Sequence, residues 1–190
     1  MRVAEHFAIG ESHVGVVPGM EGFLRSVQRR GLLMARLALR HDEDAFDAVQ
    51  DSMLRLVQRY GKRPEEEWRP LFYRILRNRI SDMRRRRRLS NRLFSWIGHS
   101  EDGSDALEAF PAPAHADPAH VVAGAEHTTA LVAAVQRLPD RQQEAFMLRC
   151  WEGLSTAETA TAMGCSEGSV KTHYFRALHF LQQELERYRP

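Results

Sequence analysis

The sequence of 190 residues contains little cysteine and no long apolar run. Its two cysteines, Cys150 and Cys165, are too few for a disulfide scaffold. Both are predicted to be reduced core thiols, with a redox switch as the alternative. No apolar run is long enough to span a bilayer, and Glu5, His6 and Glu11 interrupt the N-terminal stretch where a signal peptide would have its apolar core. We therefore expect a cytoplasmic protein.

The sequence also lacks the spacing of a metal site. The nine histidines are scattered, and none is spaced with a cysteine in the way zinc ligands are. Asp42, Glu43, Asp44 and Asp47 lie close together, but no further carboxylates or histidines are spaced to complete a metal site. We expect no metal and no cofactor, and an enzyme acting on nucleic acid is kept as one alternative function.

Charge is distributed unevenly along the chain. Residues 20–92 hold 19 Lys+Arg against 10 Asp+Glu, residues 93–127 hold six acidic residues and no Lys or Arg, and residues 128–190 hold seven of each sign. A basic segment, an acidic segment and a balanced segment therefore follow one another, an order that suggests separate modules with different partners.

The domain organisation follows from where helical periodicity is present and where it is lost. We predict an all-α fold of two small helical domains, residues 20–92 and 121–190, the second ending in a helix-turn-helix. A disordered tail over 1–19 precedes them, and a flexible acidic linker over 93–120 joins them. Fully extended, this linker could span roughly 80 Å, so the two domains could contact well-separated targets.

The first domain is predicted to contain helices over residues 21–40, 44–60 and 70–92, with Asp42 or Asp44 capping the second helix. Pro64 and Pro70 are taken to close the connection before the third helix. The side of the second helix predicted to face inward consists of Phe46, Val49, Met53, Leu54 and Val57.

The outer side of the second helix is unusual for a basic domain. It carries the acidic and amide side chains of Asp47, Gln50 and Asp51. Such a patch suits a protein partner with a positive surface, although a solvated helix face would have the same composition.

The third helix has one apolar and one basic side. Its basic side carries Arg74, Arg77 and Ser81 and continues into five consecutive arginines, Arg84 to Arg88. Arginine presents a planar fork of donors that fits phosphate, and an unmixed run repels itself unless an anion neutralises it. We interpret this helix as packed in a core on one side and bound to nucleic acid on the other. The alternative is a solvated helix end.

The second domain contains the signals of a helix-turn-helix. Asp140 is predicted to cap one helix with Gln143 at its third position, and Ser155 with Glu158 forms the capping box of a short helix. A turn over 164–166 then leads into a last helix over about 167–187. The exposed start of that helix carries side chains able to reach base edges, although an ordinary helical hairpin with a polar face is the alternative.

Three stretches carry a family resemblance. "LPDRQQEAFMLRCWEGLSTAETATAMGCSEGSVKTHYFRALHFLQQEL", residues 138–185, resembles the fourth conserved region of bacterial RNA polymerase sigma factors. "DAVQDSMLRLVQRY", residues 47–60, is similar to the core-polymerase-binding helix of their second region. "LFYRILRNRISDMRRRRRL", residues 71–89, resembles the following helix, which reads and opens the −10 promoter element. The order of the regions and the missing third domain match the extracytoplasmic-function (ECF) group. "SEGSVKTH" also resembles the output domain of response regulators.

The resemblance implies a sigma factor that binds core RNA polymerase and directs promoter recognition, DNA melting and transcription initiation. It implies core RNA polymerase, promoter DNA and an anti-sigma factor as partners, and no catalytic residue. The connection over 60–68 would capture a flipped-out base. The implied core-polymerase-binding residues are Asp47, Val49, Gln50, Asp51 and Leu54. The implied −10 residues are Trp68, Arg77, Asn78, Ser81, Asp82, Arg84, Arg85 and Arg86. The implied −35 residues are Thr156, Glu167, Ser169, Lys171, Thr172, His173 and Arg176.

The main alternative function is an autonomous helix-turn-helix transcriptional regulator, with residues 21–92 as a sensing or dimerising domain. Residues 47–60, which are similar to a core-polymerase-binding helix, argue against it. The chain also lacks the pattern of a phospho-acceptor receiver domain.

Overall fold

The computed structural model describes residues 19–97 and 129–186. Within the first of these ranges, which we call the first unit, the chain forms three helices. They are α1 (Met20–Leu39), α2 (Asp42–Tyr60) and α3 (Glu65–Ile97). Of the predicted tail over 1–19, all but Gly19 lies outside the described residues, as does nearly all of the predicted linker.

The second range, which we call the second unit, forms a further set of helices. They are α4 (129–137), α5 (Asp140–Phe146) with a π-helical continuation (Met147–Trp151), α6 (Thr156–Met163) and α7 (Glu167–Glu186). All regular structure in the two described ranges is helical, which confirms the predicted all-α fold. None of these helices is both long enough and apolar enough to cross a membrane.

Aromatic side chains of α3 form the centre of the first unit. Phe72 and Tyr73 are fully buried, and their rings meet edge to face with centroids 5.1 Å apart. Gly31 of α1 passes directly over Phe72, since a Cβ built there would lie 3.1 Å from the ring. The lack of a side chain at Gly31 thus permits the close approach of α1 to α3.

The third helix begins earlier than predicted. The connection between α2 and α3 is confined to 61–64, and α3 continues through Pro70. Proline removes one intrahelical hydrogen bond, but here it lies near the helix start, and Pro70 and Trp68 are both buried. Three consecutive glutamates in the first turn also favour a helix start here, because they interact favourably with the helix dipole. Reading Pro70 as the end of a loop was therefore wrong.

Two predicted caps are replaced by other residues. The N-cap of α2 is His41, whose Nδ1 accepts from the Asp44 backbone N–H at 3.3 Å. The N-cap of α5 is Pro139, which offers no side-chain acceptor, and Asp140 is the first helical residue. The side chain of Gln143 instead donates to the Val135 carbonyl oxygen at 2.9 Å and joins α5 to α4.

The helix-turn-helix has the predicted form. Ser155 and Glu158 make the capping box reciprocally, with donor–acceptor distances of 3.2 and 2.7 Å. Gly164 ends α6 in the left-handed region, at φ 62°, where glycine is least strained. Ser166 then caps α7, since its Oγ accepts from the Ser169 backbone N–H at 3.2 Å.

A π-helical turn follows α5, where an ordinary helix was predicted. The Glu152 backbone N–H donates to the Met147 carbonyl oxygen, five residues back, at 3.0 Å. This wider turn leaves Cys150 exposed, although it was predicted to be a core thiol, and Trp151 is half exposed. Cys165 is half buried. Glu152, which follows this turn, is buried.

The two units pack against each other. Helix α6 lies against α3, and the segment formed by α5 and its π-helical turn lies against α1 and α3. Met34 and Ile80 of the first unit share a small crevice with Met147 of the second. The sequence predicted domains that could lie far apart, so this contact is a finding of the structure.

Candidate nucleic-acid and partner interfaces

Helix α2 presents an apolar row to solvent. Phe46 and Leu54 are 48% and 49% exposed, although both were predicted to face inward. Together with Gln50 they lie at i, i+4 and i+8, and therefore on one helix face. The inward positions are taken instead by residues that are fully buried: Ala45, Ala48, Ser52 and Leu56. Three of these four side chains are small, which allows α2 to approach its neighbours closely.

Acidic side chains flank this row. Asp47 is exposed and forms no ion pair with a described residue, whereas Asp51 is held by Arg79 of α3 at 2.7 Å. Val49, which the resemblance had implied as a contact residue, is buried in the core. We call the face formed by Phe46, Asp47, Gln50, Asp51 and Leu54 the α2 face. An apolar centre with a polar rim is typical of a protein–protein interface.

Helix α3 exposes part of the predicted −10 set. Asn78, Ser81 and Asp82 are all exposed, as are Arg85 and Arg86. Asp82 pairs with Arg85 at 3.1 Å, an exposed contact that DNA phosphates could readily replace. These residues lie along one side of the helix and are available to a ligand.

Trp68 lies in the core. It is buried, its Nε1–H donates to the Arg63 carbonyl oxygen at 2.9 Å, and its ring packs on Phe23 with centroids 5.7 Å apart. The indole therefore holds the start of α3 onto α1 and does not reach solvent. This position contradicts the expectation that Trp68 contacts DNA.

Arg84 of α3 contacts residues of both units. Its side chain is only 20% exposed, and its Nε and Nη2 donate to the Ala38 carbonyl oxygen at 3.0 and 2.8 Å. Nη1 lies 2.8 Å from the Asp140 carboxylate, and Nη2 lies 3.2 Å from the Gln143 side-chain oxygen. One guanidinium thus joins the end of α1 to the start of α5.

Arg77 is also held at the contact between the units. Its side chain is 18% exposed, and its Nε lies 3.5 Å from a carboxylate oxygen of Glu144. Arg141 contacts the same carboxylate at 3.2 Å. Burial nevertheless raises the pKa of Glu144, and the nearby arginines offset only part of that effect.

A second carboxylate, that of Glu152, is buried where the two units meet, and it has fewer polar partners than Glu144. The Glu152 side chain is 1% exposed, and neither of its oxygens forms a hydrogen bond of normal geometry within the described residues. It faces Tyr73 and Arg69 of α3, and Arg30 of α1 lies 3.9 Å away. Burial raises the pKa of Glu152, and burial together with this carboxylate raises that of Tyr73.

The start of α7 is the second candidate DNA surface. Glu167, Lys171, Thr172 and Arg176 are exposed. The remaining members of the predicted −35 set are half buried: Thr156, Ser169 and His173. Burial, together with Arg141 and Arg176, lowers the pKa of His173 and so favours the neutral imidazole, which has one donor and one acceptor nitrogen.

Comparisons with known proteins show which family the chain belongs to. Residues 128–181 match the family described as Sigma-70, region 4. An RNA polymerase sigma-E factor of Streptomyces avermitilis is 31% identical over 174 residues, 90% of this chain and 88% of the relative. The chain belongs to the RNA polymerase sigma factors. Two further relatives carry the name ECF RNA polymerase sigma factor. One, from Streptomyces coelicolor, is 50% identical over 56 residues, 30% of this chain and 21% of the relative, and one from Mycobacterium tuberculosis is 30% identical over 145 residues, 76% of this chain and 65% of the relative.

A solved structure supports the same fold for this sigma factor. The sigma factor RpoE of Bartonella quintana, in complex with the anti-sigma factor NepR, matches 91% of this chain and 100% of its own, with a TM-score of 0.67 at 22% identity. At this identity the likeness concerns the fold. Within the described residues of this sigma factor, no group of His, Cys, Asp and Glu could hold a metal ion.

The sequence reasoning missed the acidic residues that join the two units. Glu144 was not considered, although it lies one turn after Asp140 on the same helix face. Glu152 was also passed over, although it follows Ala145 and Leu148 at the spacing of their buried side. An acidic residue on the apolar side of a helix indicates a carboxylate that is paired or functional. This signal could have identified Glu152 from the sequence.

Proposed function

We propose that this sigma factor binds core RNA polymerase through the α2 face and directs promoter recognition, DNA melting and transcription initiation in the cytoplasm. Helix α3 would contact the −10 element and the start of α7 the −35 element. The observation that carries this proposal is the exposed Phe46–Leu54 row. Two large apolar side chains at the centre of an acidic face are better explained by a protein partner than by contact with DNA.

The direct test is binding to purified core RNA polymerase followed by run-off transcription from genomic promoters. The full-length chain should be retained by core polymerase and should start transcription at discrete sites. On its own, it should bind duplex DNA weakly and without sequence preference at physiological salt. Tight site-specific binding by the isolated chain, without affinity for polymerase, would instead support the autonomous regulator.

An anti-sigma factor is a further proposed partner. The support is the fold likeness to the Bartonella sigma factor that was crystallised with NepR. The exposed α2 face is a suitable site, because an inhibitor bound there would compete with polymerase for the same residues. Competition between a candidate inhibitor and core polymerase for this chain would test the proposal.

Substitutions in the two proposed DNA surfaces should impair different steps of transcription initiation. Asn78→Ala removes an exposed amide that can read a base edge, and it should weaken −10 recognition by about 1–3 kcal/mol. Arg176→Ala should instead weaken initial binding to the closed promoter. Run-off transcription and permanganate reactivity on duplex and pre-melted templates would separate the two. A change of −35 base preference in Asn78→Ala, or loss of polymerase affinity, would contradict this placement of α3.

The exposed arginines of α3 should contribute through phosphates. Replacing Arg85 and Arg86 with alanine should weaken holoenzyme binding about equally for all promoters and flatten its salt dependence by roughly 0.9 per lost contact. Arg29→Ala with Arg59→Ala, which removes two exposed arginines from α1 and α2, is the matched control. An unchanged salt slope in the α3 variant would mean that the arginine run is a solvated helix end.

A further inference from the structure

Asp47 and Asp51 lie one turn apart on α2 but have different surroundings. Asp47 is exposed and forms no ion pair with a described residue. The Asp51 side chain is 55% exposed, but its Oδ2 lies 2.7 Å from Nη2 of Arg79 on α3. This distance is typical of a charge-assisted contact between a guanidinium and a carboxylate. One carboxylate of the α2 face is therefore available to a partner, whereas the other is already engaged within the chain.

Arg79 reaches across to α2 although its own helix offers a nearer acidic residue. Asp82 lies three residues later on α3, at a spacing that allows an ion pair on one helix face. Asp82 pairs with Arg85 instead, at 3.1 Å. The Arg79 side chain is only 28% exposed, and its Nε is buried without a hydrogen bond within the described residues. The guanidinium therefore lies at the contact between α2 and α3, with Asp51 as its ion-pair partner.

The Asp51–Arg79 contact is the only ion pair between α2 and α3 in the part of the chain that the structure describes. Helix α2 packs against its neighbours with small buried side chains such as Ala45, Ala48 and Ser52. The Ser52 hydroxyl donates to the Ala48 carbonyl oxygen of its own helix at 2.6 Å, so it does not link α2 to another helix. Small side chains form shallow ridges, which resist sliding less than large ones do. A polar link at the edge of this contact is therefore suited to fix the position of α3 along α2.

Arg79 lies among the residues of α3 that the proposed function assigns to the −10 element. Asn78 precedes it, and Ser81 follows after the buried Ile80. A hydrogen bond to a base edge needs a donor–acceptor distance of about 2.7–3.2 Å, so a displacement of α3 by about 1 Å is enough to lose it. The Asp51–Arg79 contact therefore acts on a distance that determines whether these side chains reach a base.

We propose that Asp51 is a positioning residue: through Arg79 it holds α3 where Asn78 and Ser81 reach the −10 element, whereas Asp47 contacts polymerase directly. The proposal rests on the proposed function, because only there is α3 the helix that reads the −10 element. It separates two carboxylates to which the family resemblance had given the same role. The charge of Asp47 serves polymerase binding, and the charge of Asp51 serves base reading.

The first test makes the same change at two positions one helical turn apart. Holoenzyme containing the full-length chain transcribes a promoter found in the run-off experiment and copies of it with a scrambled −10 or −35 element. The ratio of transcription from the intact promoter to that from each scrambled copy measures discrimination at that element. Asp51→Asn should lower the −10 ratio by roughly threefold to fivefold, the size expected for loss of a partly exposed ion pair, and should not change the −35 ratio.

Asp47→Asn should give the opposite pattern. It should weaken the binding of the chain to core polymerase, measured by retention on immobilised polymerase, and change neither promoter ratio. Both ratios are independent of how much of the chain is folded, because inactive chains lower transcription from all templates equally. Loss of stability alone therefore cannot produce the expected effect of Asp51→Asn.

The second test rebuilds the contact with its charges exchanged. Arg79→Gln should lower the −10 ratio as much as Asp51→Asn, and the two together should be no worse than either alone, because the same interaction is lost each time. Asp51→Arg combined with Arg79→Glu restores an ion pair and should recover most of the −10 ratio. The matched control is Asp42→Asn, which breaks the Arg36–Asp42 pair between α1 and α2, at 3.1 Å and of similar exposure. It should leave the −10 ratio unchanged.

Two results would overturn the positioning role. An unchanged −10 ratio in Asp51→Asn, together with weaker polymerase binding, would make Asp51 a direct polymerase contact. Failure of the exchanged pair to recover the ratio would mean that α3 is held on α2 without this ion pair. In both cases the parent chain still discriminates between the promoters, so the proposed function stands. If the parent holoenzyme does not distinguish the scrambled promoters, the proposed function fails and the positioning role fails with it.

Discussion

Replacing Leu54 with aspartate is expected to remove most of the affinity of this sigma factor for core RNA polymerase. Leu54 is one of the two large apolar side chains exposed on the α2 face, and a charge there would have to be desolvated in the proposed interface. A loss of about 2 kcal/mol, which is the size of an interface hot spot, lowers the affinity roughly thirtyfold. Retention on immobilised core polymerase and run-off transcription would both report the loss.

The fold should survive this substitution, since nearly half of the Leu54 side chain is already in solvent. Ser26→Asp is the matched control, because it adds the same charge at an exposed position on α1, away from the α2 face. It should bind polymerase like the parent chain. If Leu54→Asp and Ser26→Asp behaved alike, the apolar row would be an ordinary exposed surface and the proposed function would lose its main support.

Replacing Phe72 with alanine should have the largest effect on stability. Phe72 is fully buried, contacts Tyr73 edge to face, and lies beneath the helix position of Gly31. Truncation of a buried phenylalanine costs about 3–5 kcal/mol, through lost transfer free energy and the cavity left behind. Urea unfolding followed by circular dichroism would measure the change in the free energy of unfolding.

Phe175→Ala is the control for this prediction, because its side chain is 69% exposed on α7. It should change the free energy of unfolding by no more than about 0.5 kcal/mol. Since the free energy of unfolding of a small protein is about 5–15 kcal/mol, Phe72→Ala should leave a substantial unfolded population under mild denaturation. A loss below about 1 kcal/mol would mean that α1 and α3 repack around the cavity.

Helix positions and the helix-turn-helix could be predicted because local interactions decide them. The spacing of apolar residues gave α1 to within one residue at each end, and the Ser155–Glu158 capping box gave the start of α6. Gly164 marked the turn, since a left-handed residue ends α6. In each case the deciding atoms lie within four residues of one another, so their pattern is visible in the sequence.

The orientation of side chains at the edges of the helices could not be predicted in this way. Periodicity placed Phe46 and Leu54 inside, and both lie outside, whereas it placed Val49 inside correctly. The partner roles of Val49 and Trp68 were implied by the family resemblance, and both residues lie in the core. Periodicity defines a broad apolar arc on a helix but not how much of that arc the neighbouring helices cover. In this chain, small residues such as Ala48 and Ser52 let α2 pack closely against its neighbouring helices on one side. Residues at the edge of the apolar arc therefore remain in solvent.

The sequence by itself determined that this chain is helical, basic in its first part and equipped with a helix-turn-helix, and its motifs identified the family. Tertiary structure alone decided that the two units meet and that Asp140 and Glu144 form ion pairs with Arg84 and Arg77. The physical reason is the distance along the chain. Ion pairs between residues some 60 positions apart form only when packing brings two helix faces together, and no local pattern records which faces those are.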